Sequence, residues 1–310
     1  MQLTKCGNPG LYLTGNPNIT FFKSVYRRHS NFAIESVEQK YYGKADFGKK
    51  ISITASKNGD LMSKIYIKVD IPSVQTDNAN GFSWTEEIGH FLLKSVEITI
   101  GNLRIDKHYG TWLSIWNSLT LQKGHEIGYN KLIGNVSALS GDNTTAAAAQ
   151  NVDTPVKTVY IPLKFWFNRN IGLSLPIIAL QYHEITFNIE FETFDNLKSN
   201  EFSAGTLTPS SPSLDNVSMW IDYIYLDKNE RRLFAQTPHN YLIDQLQFTD
   251  DIPLLGTNPV IKLDFNQPIK ELIWVIQSNE TTTGGTSTLG VGNNFTDEDS
   301  SSNIHTTVAT

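Results

Sequence analysis

Alternation of apolar and polar residues with a period of two is the feature that most restricts what this 310-residue chain can fold into. In segment 183–192, HEITFNIEFE, every second side chain is apolar. Because successive side chains of a β-strand point to opposite faces of a sheet, this pattern predicts a strand with one buried face. The same pattern occurs in segments 51–55, 65–71 and 261–265. Repeated strands of this kind predict an all-β protein.

Two pairs of glycine and asparagine between predicted strands indicate tight turns. Asn58 and Gly59 lie between the predicted strands 51–55 and 65–71. Gly101 and Asn102 lie between the predicted strands 96–100 and 103–105. Such pairs supply the positive φ of two-residue hairpins, so two hairpins are expected. Helical periodicity is confined to segments 85–90, 111–121 and 227–236. Many short strands with few helices predict a sandwich or barrel rather than a βαβ nucleotide-binding fold.

The charge balance excludes a polycationic nucleic-acid wrapper. The chain has 25 Lys and Arg against 31 Asp and Glu, a formal net charge of −6, so no specific nucleic-acid partner is expected. The single cysteine, Cys6, has no second cysteine for an internal disulfide. No apolar stretch approaches the roughly 18 residues of a membrane span, and no signal peptide opens the sequence. We therefore expect a protein made in a cytosol-like space.

No arrangement of residues predicts catalysis, a cofactor or a metal site. The sequence lacks a P-loop, and the glycine cluster at 284–292 neither follows a predicted strand nor opens a helix. No two histidines have the i, i+4 spacing that places both on one face of a helix. The histidines are dispersed, at His29, His90, His108, His125, His183, His239 and His305. The expectation is a protein that is not an enzyme and binds no cofactor.

Three segments interrupt the strand patterns and are predicted to be loops. Segments 137–155 and 196–216 are rich in small and polar residues and have no apolar periodicity. Segment 278–310 has no Lys or Arg and contains four acids. That composition predicts a flexible acidic loop or tail without strands.

Three motifs resemble the major capsid protein of nucleocytoplasmic large DNA viruses, a family that includes iridoviruses, phycodnaviruses and mimivirus-like viruses. The first motif is GNPNITFFKSVYRRHSNFAIE at 15–35. The second is DKNERRLFAQ at 227–236, followed by HNYLIDQLQ at 239–247, and the third is LDFNQPIKELIW at 263–274. The order and spacing of the motifs match the family over residues 1–277.

The resemblance implies a double jelly roll, of which this chain holds the first jelly-roll sandwich and the opening strands of the second. The implied division is an N-terminal jelly roll at 1–226, a connector at 227–238, the start of the second jelly roll at 239–277 and the flexible acidic loop or tail at 278–310. Only 72 residues follow Pro238, which are too few for eight further strands with their connections. The chain is therefore expected to be part of a longer polypeptide or a truncated paralogue.

The resemblance also implies a structural virion protein that forms homotrimers, the pseudo-hexagonal capsomers of an icosahedral shell assembled in the host cytoplasm. The implied partners are other copies of the chain, neighbouring capsomers, minor capsid proteins and, by proximity, an inner viral membrane. Aromatic and cationic residues of the first motif are the predicted assembly contact, either between subunits or with the inner capsid layer: Phe22, Lys23, Tyr26, Arg27 and Arg28. In the alternative interpretation, Phe21, Val25 and Phe32 are core residues and the cations are merely solvated.

Three other classes of protein stay open from the sequence. A minor or truncated capsid paralogue shares the same motifs. A jelly-roll carbohydrate-binding module would stack sugars on exposed aromatic side chains, for which Trp84, Trp166 and Trp220 are the candidates. A cupin-type enzyme would need metal-binding histidines clustered inside the barrel, and the dispersed histidines argue against it.

Overall fold

Antiparallel strands dominate the computed structural model, which describes residues 30–76, 82–140, 154–198, 207–208, 211–253, 260–278 and 304–309. The strands are β1 Phe32–Gln39, β2 Tyr41–Tyr42, β3 Lys50–Thr54, β4 Leu61–Ile71, β5 Gln75–Thr76, β6 Leu93–Ile100, β7 Leu103–Tyr109, β8 Lys157–Pro162, β9 Leu175–Pro176, β10 Ile185–Phe191, β11 Leu207–Thr208, β12 Asp215–Leu226, β13 Phe248–Pro253, β14 Ile273–Ser278 and β15 Ile304–Ala309. The helices are α1 Ile88–Phe91, α2 Gly110–Thr120, α3 Glu126–Ile133, α4 Ser137–Ser140, α5 Trp166–Arg169 and α6 Lys228–Gln236.

Apart from β5 and β11, which pair with each other, the strands up to β12 form two antiparallel sheets that share one core. The first sheet has the order β1-β12-β4-β8, with β9 also paired to β4, and the second has the order β2-β3-β10-β6-β7. Eight strands result when β2 and β3 count as one and the two-residue strands β5, β9 and β11 are left out. The first sheet then holds the first, eighth, third and sixth strands, and the second sheet holds the second, seventh, fourth and fifth. This interleaving is a jelly roll, so the predicted sandwich is confirmed.

The core lies between the two sheets, where the inward side of each strand is apolar. On β10 all four inward side chains, from Ile185 to Phe191, are at most 3% exposed, as their alternation predicts. Phe187 pairs in register with Ile53 of β3 and Ile98 of β6, so an apolar layer continues across the sheet. Burial of each such side chain contributes roughly 1.5–3 kcal/mol.

The hairpin predicted at Gly101 and Asn102 is confirmed. Pairing of β6 with β7 continues to Ile100 and Leu103 at the two ends of the turn. Gly101 has a φ of 56° and Asn102 a φ of 68°. Both values lie in the left-handed region that a type I′ hairpin turn requires.

The second predicted hairpin, at Asn58 and Gly59, is wrong. β3 and β4 belong to different sheets, so the chain crosses here from one sheet to the other. Gly59 does not adopt a positive φ. A Cβ at this position would instead lie 2.7 Å from Cβ of Tyr223. The close approach of β12 therefore explains the glycine, and turn chemistry does not.

Other expectations are corrected or confirmed by the order of elements. Segment 261–265 alternates like a strand but forms none. Segment 278–310, expected to lack strands, contains β15, which pairs with both β13 and β14. Segment 137–155, expected to be a loop, begins with α4. The helices expected at 111–121 and 227–236 are confirmed as α2 and α6.

Gly59→Ala should destabilise the jelly roll by roughly 2 kcal/mol, because overpacking against a fully buried side chain forces a backbone shift. Gly128→Ala is the matched control: Gly128 lies in α3 with no atom within 4 Å of an added Cβ, so alanine should stabilise the helix by up to about 1 kcal/mol. Urea unfolding of both variants measures the difference. Equal stability of the two would contradict the close contact with Tyr223.

Candidate assembly interface

The predicted assembly contact lies outside the described residues, because Phe22, Lys23, Tyr26, Arg27 and Arg28 all precede residue 30. Their role stays a prediction. The structure does place Phe32, at the start of β1, with its side chain 65% exposed. The alternative interpretation that made Phe32 a core residue is wrong for that residue.

The outer side of the first sheet carries aromatic and aliphatic side chains among polar ones such as Lys68 and Asp222, and we call this surface the aromatic face. It comprises Phe32, Ile34, Tyr66, Tyr160 and Trp220. Tyr66 and Trp220 pair in register on β4 and β12, and Tyr160 lies on the next strand, β8. Ile34 is 50% and Tyr160 is 39% exposed. Exposed apolar patches with aromatic residues are typical of protein–protein contacts.

The outer side of the second sheet is mostly polar, with the exposed Tyr42 near one edge. Glu190 forms ion pairs with Lys50 at 3.0 Å and with Lys94 at 3.3 Å, and Ser52 donates a hydrogen bond to Asn188. Burial raises the pKa of Glu190, but the hydrogen bonds and charges of the two lysines lower it by more. Exposed pairs of this kind contribute at most about 1 kcal/mol. Such paired charges are suited to contact with solvent.

A buried carboxylate joins the end of the jelly roll to the helix that follows it. Asp60, only 5% exposed, accepts a hydrogen bond from the backbone N–H of Leu226 at 2.8 Å. The second carboxylate oxygen of Asp60 lies 3.0 Å from Nε of Arg231 in α6. Asp227 caps the first turn of that helix by accepting from the N–H of Lys228. The direction in which the chain leaves β12 is therefore fixed by charged hydrogen bonds.

Beyond α6, the chain lies against β7, an edge strand of the second sheet. Oδ1 of Asp106 accepts hydrogen bonds from the N–H of Lys107 at 2.9 Å and of Leu246 at 3.0 Å. Gln245 donates a side-chain hydrogen bond to the carbonyl of Ile105. The other oxygen of Asp106 lies 3.0 Å from Nε2 of the buried His108, without the alignment of a hydrogen bond. Residues 245–246 thus cover a strand edge that would otherwise be open to pairing with another chain.

An open cleft of about 610 Å³ separates this segment from α2. The guanidinium of Arg169 lies 4.1 Å from the ring centroid of Trp116. Arg169 also pairs with Asp244 at 3.6 Å, and Asp244 pairs with Lys270 at 2.9 Å. These contacts bind residues before and after β13 to the helices of the jelly roll.

Glu87, His90 and Tyr129 form a hydrogen-bonded array that the sequence did not reveal. Nδ1 of His90 lies 2.9 Å from Glu87 and Nε2 lies 2.9 Å from the Tyr129 hydroxyl. Burial raises the pKa of Glu87, but hydrogen bonds from His90 and Ser114 lower it by more. His90 is 0% exposed, and both of its ring nitrogens are occupied. The array therefore holds α1 against α3 and offers no accessible base. The i, i+3 spacing of Glu87 and His90 was its only sequence signal.

Two of the three tryptophans considered for sugar stacking are buried. Trp84 is 0% and Trp166 is 2% exposed, so the hypothesis that they stack on sugars is wrong. Trp84 packs against Phe82 at a ring distance of 5.1 Å. Trp220 alone of the three reaches the surface, on the aromatic face. Core burial wins here because large aromatic rings remove the most apolar area from water.

The described residues contain no group of three His, Cys, Asp or Glu side chains arranged to hold a metal ion. A search of the same part of the chain finds no helix that is long and apolar enough to cross a membrane. Two sheets with this connectivity define the class: this is a jelly-roll protein, a fold shared by capsid proteins, lectins and cupins.

Comparison with known proteins separates these possibilities. Residues 20–227 match the family described as "Major capsid protein N-terminus", and residues 230–309 match "Large eukaryotic DNA virus major capsid protein". The chain therefore belongs to the major capsid protein family of large eukaryotic DNA viruses. The resemblance seen in the three motifs is confirmed.

Curated relatives and solved structures agree. The chain is 48% identical over 275 residues to the major capsid protein of Pyramimonas orientalis virus, covering 89% of this chain and 64% of that protein. It is 44% identical over 286 residues to capsid protein 1 of Acanthamoeba polyphaga mimivirus, covering 89% and 48%. A quasi-atomic model of the PBCV-1 virus capsid superposes with a TM-score of 0.66 at 36% identity, covering 83% of this chain and 58% of that one. The chain thus spans less than two thirds of the length of each.

Asp106→Ala should release residues 245–246 from β7, because it leaves the N–H of Leu246 without its acceptor. Loss of a buried hydrogen-bonded carboxylate should cost roughly 2 kcal/mol or more. Hydrogen exchange should show faster exchange at Leu246 and around it. Asp264→Ala is the control, because Asp264 and its partner Lys262 are 79% and 84% exposed, and it should change stability by less than about 0.5 kcal/mol. Unchanged protection in Asp106→Ala would refute the docking.

Proposed function

We propose that this chain is a shell-forming capsid subunit, whose function is to associate with copies of itself into trimeric, pseudo-hexagonal capsomers of an icosahedral shell. The observation that carries the proposal is the 48% identity to a viral major capsid protein, over 89% of this chain. A structural role needs extended contact surfaces, and the jelly roll supplies them.

The two unlike outer faces support a role in assembly. The aromatic face exposes rings and aliphatic side chains, of which Phe32 and Ile34 are at least half exposed. The opposite outer face carries ion pairs such as Lys50 with Glu190. Apolar surface gains free energy when it leaves water, whereas isolated surface ion pairs gain little. We propose that the aromatic face packs against protein and that the polar face meets solvent.

We propose the same division of the chain that the motifs imply, with one change. The jelly roll occupies 1–226, the connector 227–238 and the start of a second jelly roll 239–277. The eight strands and the shared core, which end at β12, support the first boundary. Segment 278–310 is the acidic segment, with β15 as a strand inside it.

We propose that the protein is not an enzyme and that its partners are proteins. Neighbouring capsomers and minor capsid proteins are the further partners, an inner viral membrane lies close by, and assembly takes place in the host cytoplasm. The closed geometry of His90 supports this proposal, because both ring nitrogens are occupied by Glu87 and Tyr129. A catalytic base must reach a substrate proton within hydrogen-bond distance.

The segment that contains Phe22, Lys23, Tyr26, Arg27 and Arg28 is proposed as an assembly contact of these trimers. Arg27→Glu with Arg28→Glu should reduce the trimer to monomers, since it replaces two cations by two anions at the contact. Sedimentation velocity measures the fraction at three times the mass of the chain.

The matched control makes the same charge change at two exposed lysines outside that segment, Lys40→Glu with Lys123→Glu. This control should leave the trimer fraction and the thermal unfolding transition unchanged. A trimer fraction in the arginine variant equal to that of the control would refute the contact, and a chain that is monomeric before any substitution would refute the proposed self-association.

A further inference from the structure

A second cleft, separate from the open cleft of about 610 Å³ described above, lies where α2 ends and α3 begins. It has a volume of about 500 Å³. Its apolar wall consists of Leu121, Leu132 and the ring of Tyr129, and its polar groups include Asn117 and Lys164. No residue of the aromatic face lines this cleft, and neither does Asp60 or Arg231.

Lys164 is a half-buried cation that has no carboxylate partner in the part of the chain that the structure describes. Within the described residues, no Asp or Glu oxygen lies within ion-pair distance of its ammonium group. The ammonium instead lies 5.2 Å from the ring centroid of Tyr129. Burial lowers the pKa of Lys164, and the charges of Arg169 and Lys64 lower it further. An anion beside this ammonium group would offset the free-energy cost of burying its charge and the repulsion from the neighbouring cations.

Asn117 supplies a hydrogen-bonding group that faces the cleft. Its side chain is 95% buried, since Asn117 is 5% exposed, and it lines the cleft. The side-chain amide has no hydrogen-bond partner among the described residues. Solvent reaches the amide atoms from the cleft, so they are available to a bound acceptor. A carboxylate oxygen accepts from an amide N–H and from an ammonium group at once, which satisfies both unpaired groups.

The sequence contains one run of three consecutive acids, Asp297, Glu298 and Asp299, and it follows Phe295. The run belongs to the segment 278–310, which has no Lys or Arg, and it lies outside the described residues. Its charge complements that of Lys164, and a nearby aromatic side chain complements the leucine wall.

We propose that the cleft binds a carboxylate of the acidic run 297–299 from a second copy of this chain, with Lys164 as its ion-pair partner and Asn117 as a hydrogen-bond donor. The assignment to a second copy rests on the proposed self-association. The contact is then a specific link between the helices of one subunit and the acidic segment of the next.

Binding of a synthetic peptide tests the cleft without requiring trimers. The peptide is NNFTDEDSSSN, residues 293–303, with a fluorescent label, and its control is NNFTNQNSSSN. The host chain carries Asp297→Asn, Glu298→Gln and Asp299→Asn, so that its own acids do not compete. Fluorescence anisotropy should show saturable binding of the acidic peptide and at least tenfold weaker binding of the neutral one.

Lys164→Met in the same host should weaken binding of the acidic peptide at least tenfold, while its side chain keeps the packing on Tyr129. Lys64→Met is the matched control, because Lys64 is a neighbouring cation that does not line the cleft, and it should change affinity by less than about threefold. Thermal unfolding confirms that both variants fold. Equal binding of the two peptides, or of the two variants, would overturn the proposal.

Zero-length carbodiimide cross-linking of the unmodified chain identifies the donor of the acid. An equal mixture of ¹⁴N and ¹⁵N chains should give mixed-isotope cross-links between Lys164 and residues 297–299. Cross-links confined to one isotope would overturn the assignment to a second copy, and absence of Lys164 from all cross-links would overturn the contact. If the unmodified chain forms no trimers but still binds the acidic peptide, the proposed function is refuted and the cleft contact is not.

Discussion

Burial of apolar side chains between the two sheets is the constraint on which the rest of the molecule depends. Phe165, Phe167, Phe187 and Phe191 are all fully buried in one core together with aliphatic residues of both sheets. Every strand of the two sheets turns one face to this core. The outward faces of the two sheets do not take part in the core and can therefore differ from each other. The aromatic face and the polar face are the two results.

Buried carboxylates position the chain at one edge of the sandwich and at the end of β12. Asp106 holds the backbone of Leu246 against β7, and Asp60 holds the backbone of Leu226 together with Arg231. A buried carboxylate is unfavourable unless it is hydrogen-bonded or paired, so the bonds to Oδ1 of Asp106 and to both oxygens of Asp60 fix the positions of their partners. These two carboxylates set where the chain goes after the jelly roll.

Strands with one buried face, such as β10, are predictable from sequence because the alternation is a local property. The hairpin at Gly101 is predictable for the same reason, since turn and strands are contiguous. The role of Gly59 cannot be predicted from sequence, because its neighbour Tyr223 is remote in the chain. An asparagine followed by a glycine predicts a turn whether the glycine serves a turn or a close contact. His90 with Tyr129 and Asp106 with Leu246 are likewise pairs created only by folding. Trp84 and Trp166 show that an aromatic residue alone does not indicate an exposed binding site.

The position of β1 has a consequence for synthesis. β1 forms its ladder with β12 alone, from Phe32 opposite Leu226 to Gln39 opposite Met219. At a synthesis rate of roughly 5–20 residues per second, β12 leaves the ribosome roughly 10–40 s after β1. During that interval a strand with two exposed apolar side chains, Phe32 and Ile34, has no partner within its own chain. The ladder between β1 and β12 is therefore completed only after the other strands of the jelly roll have been synthesised.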